Sequence, residues 1–363
     1  MNKINLLLLV VIAGFALSGC NKTSEEKPAL TFLPENAVPM SNTNFGKDLQ
    51  SVPLETTDES LFSSFATFGM DSDFFIFPRN EPSSIFRFSK DGKYLNKIGA
   101  VGNGPGEYAE LTDICVDPST KTISILGTDE LYKYNYDGSF IDKRSTPFPA
   151  FSFCIDTDGN YWFYSGNNKT LNPDKLKKFD ASMKPLDQRL PADETILPWG
   201  FDNLKKNGAI TTFVEGFNDT VYQINNGEIA KAYAIDFKDL ALDKSAFPTD
   251  PMDLIPFLRS KHYASIKNYL ENDNYAYFQI VESSPSDPKS MGIYHWIFDK
   301  AANKNLLIKQ DNDMNPLTYL NAPQILTADN QLYFLGYLPD SDLAAQDNNP
   351  SIVSIDLSKI NFN

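Results

Sequence analysis

The side chains able to do chemistry are few in this sequence of 363 residues. It has two histidines, His262 and His295, and three cysteines, Cys20, Cys115 and Cys154. Two histidines cannot build a three-histidine zinc site. There is no G-x-S-x-G elbow, H-E-x-x-H helix motif or C-x-x-C pair, so serine-hydrolase, zinc-peptidase and dithiol chemistry lose their usual carriers. Carboxylates are plentiful at 47 Asp and Glu, and chance pairs leave acid–base glycosidase chemistry open. Asp158-Gly159-Asn160-Tyr161-Trp162 is a faint Asp-box without its leading serine. Asp156/Asp158 and Asp340/Asp342 lack the twelve-residue loop of an EF-hand, so they read as short turns; no metal and no cofactor is expected.

Cys20 has a different chemistry. Lys3, the apolar run Ile4 to Ala16 and Leu17-Ser18-Gly19-Cys20 form the three parts of an export signal. The apolar run is shorter than the ~20 residues that span a bilayer. The tetrapeptide resembles the bacterial lipobox, which predicts cleavage before Cys20 and a diacylglyceryl anchor on its thiol. Residues 1–19 are then the signal, 20–44 a flexible tether, and 45–363 the folded domain. Ser24-Glu25-Glu26-Lys27-Pro28 resembles the acidic surface-export signals of Bacteroidota lipoproteins, which implies the outer membrane, on its periplasmic or cell-surface side. A net charge of −15 excludes nucleic acid as a partner, because phosphate backbones bind clustered Lys and Arg. Cys115 and Cys154 sit in similar strand-like contexts and are expected to be free, buried thiols.

The elements that would position a site repeat. A short apolar strand, a polar turn and a second strand recur six times, around Asp71-Ser72-Asp73, Asp117-Pro118-Ser119, Asp156 to Gly159, Lys205 to Gly208, Asn272 to Asn274 and Ala328 to Asn330. A second hairpin follows in each of the first five, turning at Asp91-Gly92, Asp137-Gly138, Met183-Lys184, Asn226-Gly227 and Ala302-Asn303. Four strands per unit, six units and 27 Phe with 17 Tyr to fill the wedges predict an all-β, six-bladed β-propeller. The last unit lacks one strand, which Leu49 to Glu55 near the N-terminus can supply. Pro53 suits that place, since proline belongs on sheet edges.

Asp91 to Gly99, followed by Gly102-Asn103-Gly104-Pro105-Gly106-Glu107-Tyr108, resembles the six-bladed propeller lipoproteins of Bacteroidota, relatives of the NHL and TolB-like propellers. That likeness implies the propeller and a cell-envelope location, and no established activity. The three glycines read as tight turns. A phosphate cradle would need a following helix, and strand Ile114-Cys115-Val116 follows instead.

In a propeller, the loops joining second to third strands, and those joining blades, share one face. Here they include the longest segments: 165–175, 236–265, 282–291, 309–323 and 336–350. The longest is expected to carry a helical insertion around residues 250–270. Asp250 is its N-cap, Pro251 its first position and Pro256 a break, with Tyr263, Ile266 and Leu270 at helical spacing beyond. Long structured loops imply function, so the expected site is this face, with Arg79, Glu81, Glu107, Tyr108, Trp199, Arg259, His262, Tyr263, Tyr319 and Tyr337 as ligand-binding candidates. The favoured role is a non-enzymatic binding protein for glycan or peptide. The alternatives are a hydrolase or lyase acting on glycans and a scaffold for another envelope protein.

Overall fold

The computed structural model describes residues 30–362 apart from 63–65, 80–82, 168, 170–171, 193–201, 209, 226, 286–290, 312–321 and 338–347. The signal, Cys20 and the candidates Glu81, Trp199 and Tyr319 lie outside the described residues. Three short strands come first: β1 (Leu30–Thr31), β2 (Val38–Pro39) and β3 (Gln50–Pro53). The first blade is β4 (Ala66–Met70), β5 (Asp73–Pro78), β6 (Ile85–Ser89) and β7 (Tyr94–Ile98). The second is β8 (Asp113–Asp117), β9 (Thr122–Leu126), β10 (Glu130–Asn135) and β11 (Phe140–Ser145). The third is β12 (Ser152–Ile155), β13 (Tyr161–Tyr164), β14 (Asp174–Phe179) and β15 (Pro185–Pro191). The fourth is β16 (Leu204–Asn207), β17 (Ile210–Val214), β18 (Thr220–Asn225) and β19 (Glu228–Asp236). The fifth is β20 (Tyr263–Glu271), β21 (Tyr275–Ser283), β22 (Met291–Asp299) and β23 (Lys304–Lys309). The sixth is β24 (Ile325–Leu326), β25 (Gln331–Gly336) and β26 (Ser351–Asp356), completed by β3.

The chain is therefore a six-bladed β-propeller, each blade an antiparallel meander. Burial explains the sequence of each strand. The second strand of a blade is covered on both faces by neighbouring blades, and so reads as an unbroken apolar run: Phe74 to Phe77, Ile123 to Leu126 and Tyr161 to Tyr164 are all buried. Outer strands meet water and alternate, as Phe140–Ser145 does. Six apolar clusters, one in each wedge between adjacent blades, close the ring. The turns carry the positive φ their residues promised, at Gly92 (84°), Gly138 (89°) and Met183 (62°).

Closure uses the N-terminal strand as expected: β3 pairs antiparallel with β26, Pro53 facing Ser351. Gly92 has a role here, since a Cβ would lie 2.1 Å from the Pro53 carbonyl oxygen. The expected tether is corrected over its second half. From Leu30 the chain binds the propeller wall, β1 running parallel to β19 and β2 parallel to β23. Phe32 and Met40 are 1% exposed, and Phe32 meets Tyr294 edge-on at 5.1 Å. Isolated apolar side chains, rather than any periodic pattern, hold this segment down.

The insertion also departs in part. Helix α1 spans Pro251–Arg259, with the Asp250 side chain accepting from the Met252 amide at 2.9 Å. Pro256 does not end it, because Leu254 and Leu258 pack on Phe247 and hold the last turn. The second helix is corrected to strand. Tyr263, Ile266 and Leu270 lie in β20, where pairing with β21 outweighs a coincidental helical spacing.

Candidate functional site

The inner strands β4, β8, β12, β16, β20 and β24 surround a central channel, a cavity of about 910 Å³. Its walls combine aliphatic, thioether and thiol side chains, among them Met70, Ile114, Cys115, Val116, Ile155 and Ile325, with polar and charged ones. Each inner strand runs from the loop-rich face towards its first hairpin turn, so the two ends of the channel differ chemically.

At the loop-rich end, polar side chains stitch blade to blade. Arg79, at the end of β5, donates to the Thr112 carbonyl at 2.7 Å and Thr67 Oγ1 at 3.2 Å. It also reaches across to Asp202 of the fourth blade at 2.5 Å, with its own side chain only 6% exposed. Asp113, first residue of β8, accepts from Ser152 Oγ (2.8 Å) and the Phe153 amide (3.0 Å) through one oxygen, and from the Ile114 amide (2.8 Å) through the other. Ser152 Oγ in turn accepts from the Leu204 amide at 3.2 Å. Lys205 Nζ donates to Asn268 Oδ1 at 2.7 Å, and Asn268 donates to the Pro323 carbonyl. Gln324 completes the circuit against the Phe68 amide at 2.8 Å. Burial and the nearby Asp202 push Asp113 up to about 7, with Arg79 opposing them. Burial lowers Lys205 from its usual value, opposed by Asp202 and Asp113.

At the other end, the first hairpin turns form an open mouth, with Pro118, Ser119, Thr157 and Gly208 exposed. Its carboxylates are individually compensated. Asp71 pairs with Lys121 (2.5 Å), Asp156 with Lys178 (2.9 Å) and Glu271 with Lys300 (2.7 Å). Asp117 accepts from Ser119 Oγ at 2.6 Å and Thr120 Oγ1 at 2.7 Å. Partial burial raises Asp117, and these hydroxyls outweigh it, holding the carboxyl below the usual range. Asp156, two residues before the faint Asp-box begins, accepts from the Asp158 and Asn160 amides. That segment is a turn. Cys115 and Cys154 are both free thiols at the channel wall, Cys115 half-buried and Cys154 buried. Burial pushes Cys115 up to about 11. Among the described residues, no group of three or more His, Cys, Asp and Glu could hold a metal.

The candidates named from sequence do not converge. Arg79 closes the channel's loop-rich end. Tyr108 is corrected to a core residue, 0% exposed, its hydroxyl donating to the Ser83 carbonyl at 2.8 Å. Glu107 accepts from the Gly104 amide at 2.8 Å, a staple within its own loop. Tyr337 donates to the Asn348 carbonyl at 2.8 Å and braces a loop base. Arg259 is the exposed last residue of the helical insertion, and His262 and Tyr263 follow it, His262 Nε2 lying 2.8 Å from Glu282 Oε1 and Tyr263 edge-on to Phe217. A second cavity of about 420 Å³ lies on this face, lined by Asp219, Asp236, Asp243 and Phe237 among others. Sequence reasoning did not select Asp113, Asp202 or Lys205. The available signal was a polar residue opening successive inner strands or placed just before them: Asp113, Ser152, Asn203 and Gln324.

The fold and channel define a six-bladed propeller with one solvent-open central cavity. The chain belongs to the DUF4934 family, a domain of unknown function, whose model matches residues 33–361. It is similar in structure to a protein from Bacteroides fragilis assigned as exported, at TM-score 0.73 and 17% identity, covering 92% of this chain and 99% of that one. A weaker likeness, TM-score 0.45 at 12% identity, links it to the Pan2 WD40 domain of Neurospora crassa, over 88% of this chain and 98% of that domain. No curated protein matches the sequence.

Proposed function

We propose that this chain is a cell-envelope binding lipoprotein, held at the outer membrane through Cys20, whose ligand enters the central channel from the hairpin-turn mouth. The observation that carries the reading is the channel itself. Its volume of about 910 Å³ falls in the usual range for ligand sites, and apolar walls with a few convergent polar groups match their usual lining. The export signal and the exported relative from Bacteroides fragilis support the location. Glycan and peptide are the ligand classes to test first.

Binding is favoured over hydrolysis by the state of the channel carboxylates. Asp202 is held by Arg79, and both oxygens of Asp113 carry structural hydrogen bonds. A glycosidase needs its two carboxyl groups directed at the scissile bond. The test is a screen of oligosaccharides and short peptides against the mature chain, read by alkylation at Cys115 mapped by mass spectrometry. A channel ligand slows Cys115 alkylation in proportion to occupancy. A binder that leaves Cys115 unprotected while masking His262 from carbethoxylation would place the site on the loop-rich face and refute the channel.

A further inference from the structure

Lys205 differs from the ion-paired cations around the channel. Arg79, Lys121, Lys178 and Lys300 each pair with a carboxylate. Among the described residues Lys205 and its neighbour Lys206, which also lines the cavity, form no ion pair; Lys206 is exposed, whereas the half-buried Lys205 meets one acceptor, Asn268 Oδ1, at 2.7 Å. An ammonium has three donors, so two remain for the cavity that Lys205 lines. The channel lining includes two aromatic side chains, Phe68 and Phe153, and so offers few faces on which a sugar could stack. Phosphate is poorly matched too, because the one nearby guanidinium, Arg79, is committed to Asp202 and Thr112.

Resting on the channel reading above, we infer that the channel takes a ligand bearing a carboxylate on an apolar body, with the carboxylate on Lys205 and the body along Met70, Ile114, Val116, Ile155 and Ile325. The partner chemistry is shared by a free fatty acid and by the C-terminus of a short apolar peptide. A carboxylate supplies charge-assisted acceptors for the spare ammonium donors, and burial of the apolar body supplies most of the remaining affinity. The carboxylates at the mouth are paired or hydrogen-bonded, and of the two that act on Lys205, Asp202 is paired with Arg79 and burial raises Asp113.

The experiment compares four probes on the mature chain by calorimetric titration: decanoate, decanol, a capped Ala-Leu-Val-Leu peptide with a free C-terminus, and its C-terminal amide. Cys115 protection is followed in parallel. At least one acid should bind about tenfold or more tightly than its neutral counterpart, the effect of one charge-assisted hydrogen bond, and should protect Cys115. Which acid does so identifies the source. Lys205→Met should abolish the preference while leaving weak binding of the neutral probe. Neutral probes that protect Cys115 as well as the acids would overturn the carboxylate assignment and keep the channel. Binding by acids without protection of Cys115 would overturn both. Should Lys205→Met fail to fold, the acid-against-neutral comparison on the native chain decides alone.

Discussion

The two ends of the channel are built from the same six strands and solve opposite problems. At the loop-rich end, charged and polar side chains cross between blades, and nearly every donor and acceptor is used. At the turn end, Asp71, Asp117, Asp156 and Glu271 are satisfied close to home, by their own turn or by a lysine of their own or the next blade, and the opening stays clear. The difference teaches that polarity alone does not mark a binding surface here. Polar groups with all their bonds made hold the ring together, whereas the under-used donor of Lys205 and the open aliphatic wall are what remain for a ligand.

Removing Arg79 should have the largest effect. Arg79→Leu leaves Asp202 and the Thr112 carbonyl unmatched, and should cost about 2–4 kcal/mol in urea unfolding. That lies at and just below the range of about 3–5 kcal/mol for a broken buried pair, because Asp202 keeps some solvent access. A loss below about 0.5 kcal/mol would mean the stitches do not close that end.

Asp113 sharpens the contrast through pH. Its pKa is raised to about 7 in the folded chain from an ordinary value of 3.8. Between those values the folded chain holds a proton that the unfolded chain has released, so stability falls as pH rises from about 4 through 7 and then levels. Asp113→Asn removes this term. The variant should gain on the wild type steadily from pH 4 to pH 8 in urea midpoints, whatever their offset at pH 4. Parallel pH profiles would show that Asp113 titrates normally.

The turn end should respond least. Asp117→Ala deletes acceptors for the Ser119 and Thr120 hydroxyls in one exposed turn and should cost about 1 kcal/mol, with the pH profile of Asp113 unchanged. A cost as large as that of Arg79→Leu would erase the distinction between the ends.

Much of the fold was legible because repetition amplifies weak signals. One Asp-Gly turn says little, but five second hairpins at matching places fixed the blades, and the missing strand pointed to Leu49–Glu55. What escaped lacked repetition. Phe32 and Met40 bind the wall through single side chains, so their segment read as tether. Tyr263, Ile266 and Leu270 fit two periods at once, and only the partner strand decides between them. At the site, Arg79 was visible as a candidate, but its reach to Asp202 on the opposite blade depends on ring closure. Lys205 is one of two adjacent lysines in a turn-like stretch, and nothing local separates the half-buried one from its exposed neighbour Lys206.

The accessibility of the channel can be measured directly through the two thiols. In the native, ligand-free chain at pH 8, a small alkylating reagent should modify Cys115 at a rate independent of low urea concentrations, entering through the open mouth. Cys154 also borders the channel but is only 2% exposed, and should react only as fast as the chain unfolds, with a steep urea dependence. Equal, urea-dependent rates at both cysteines would show a channel sealed at both ends, and no ligand could then be assigned to it.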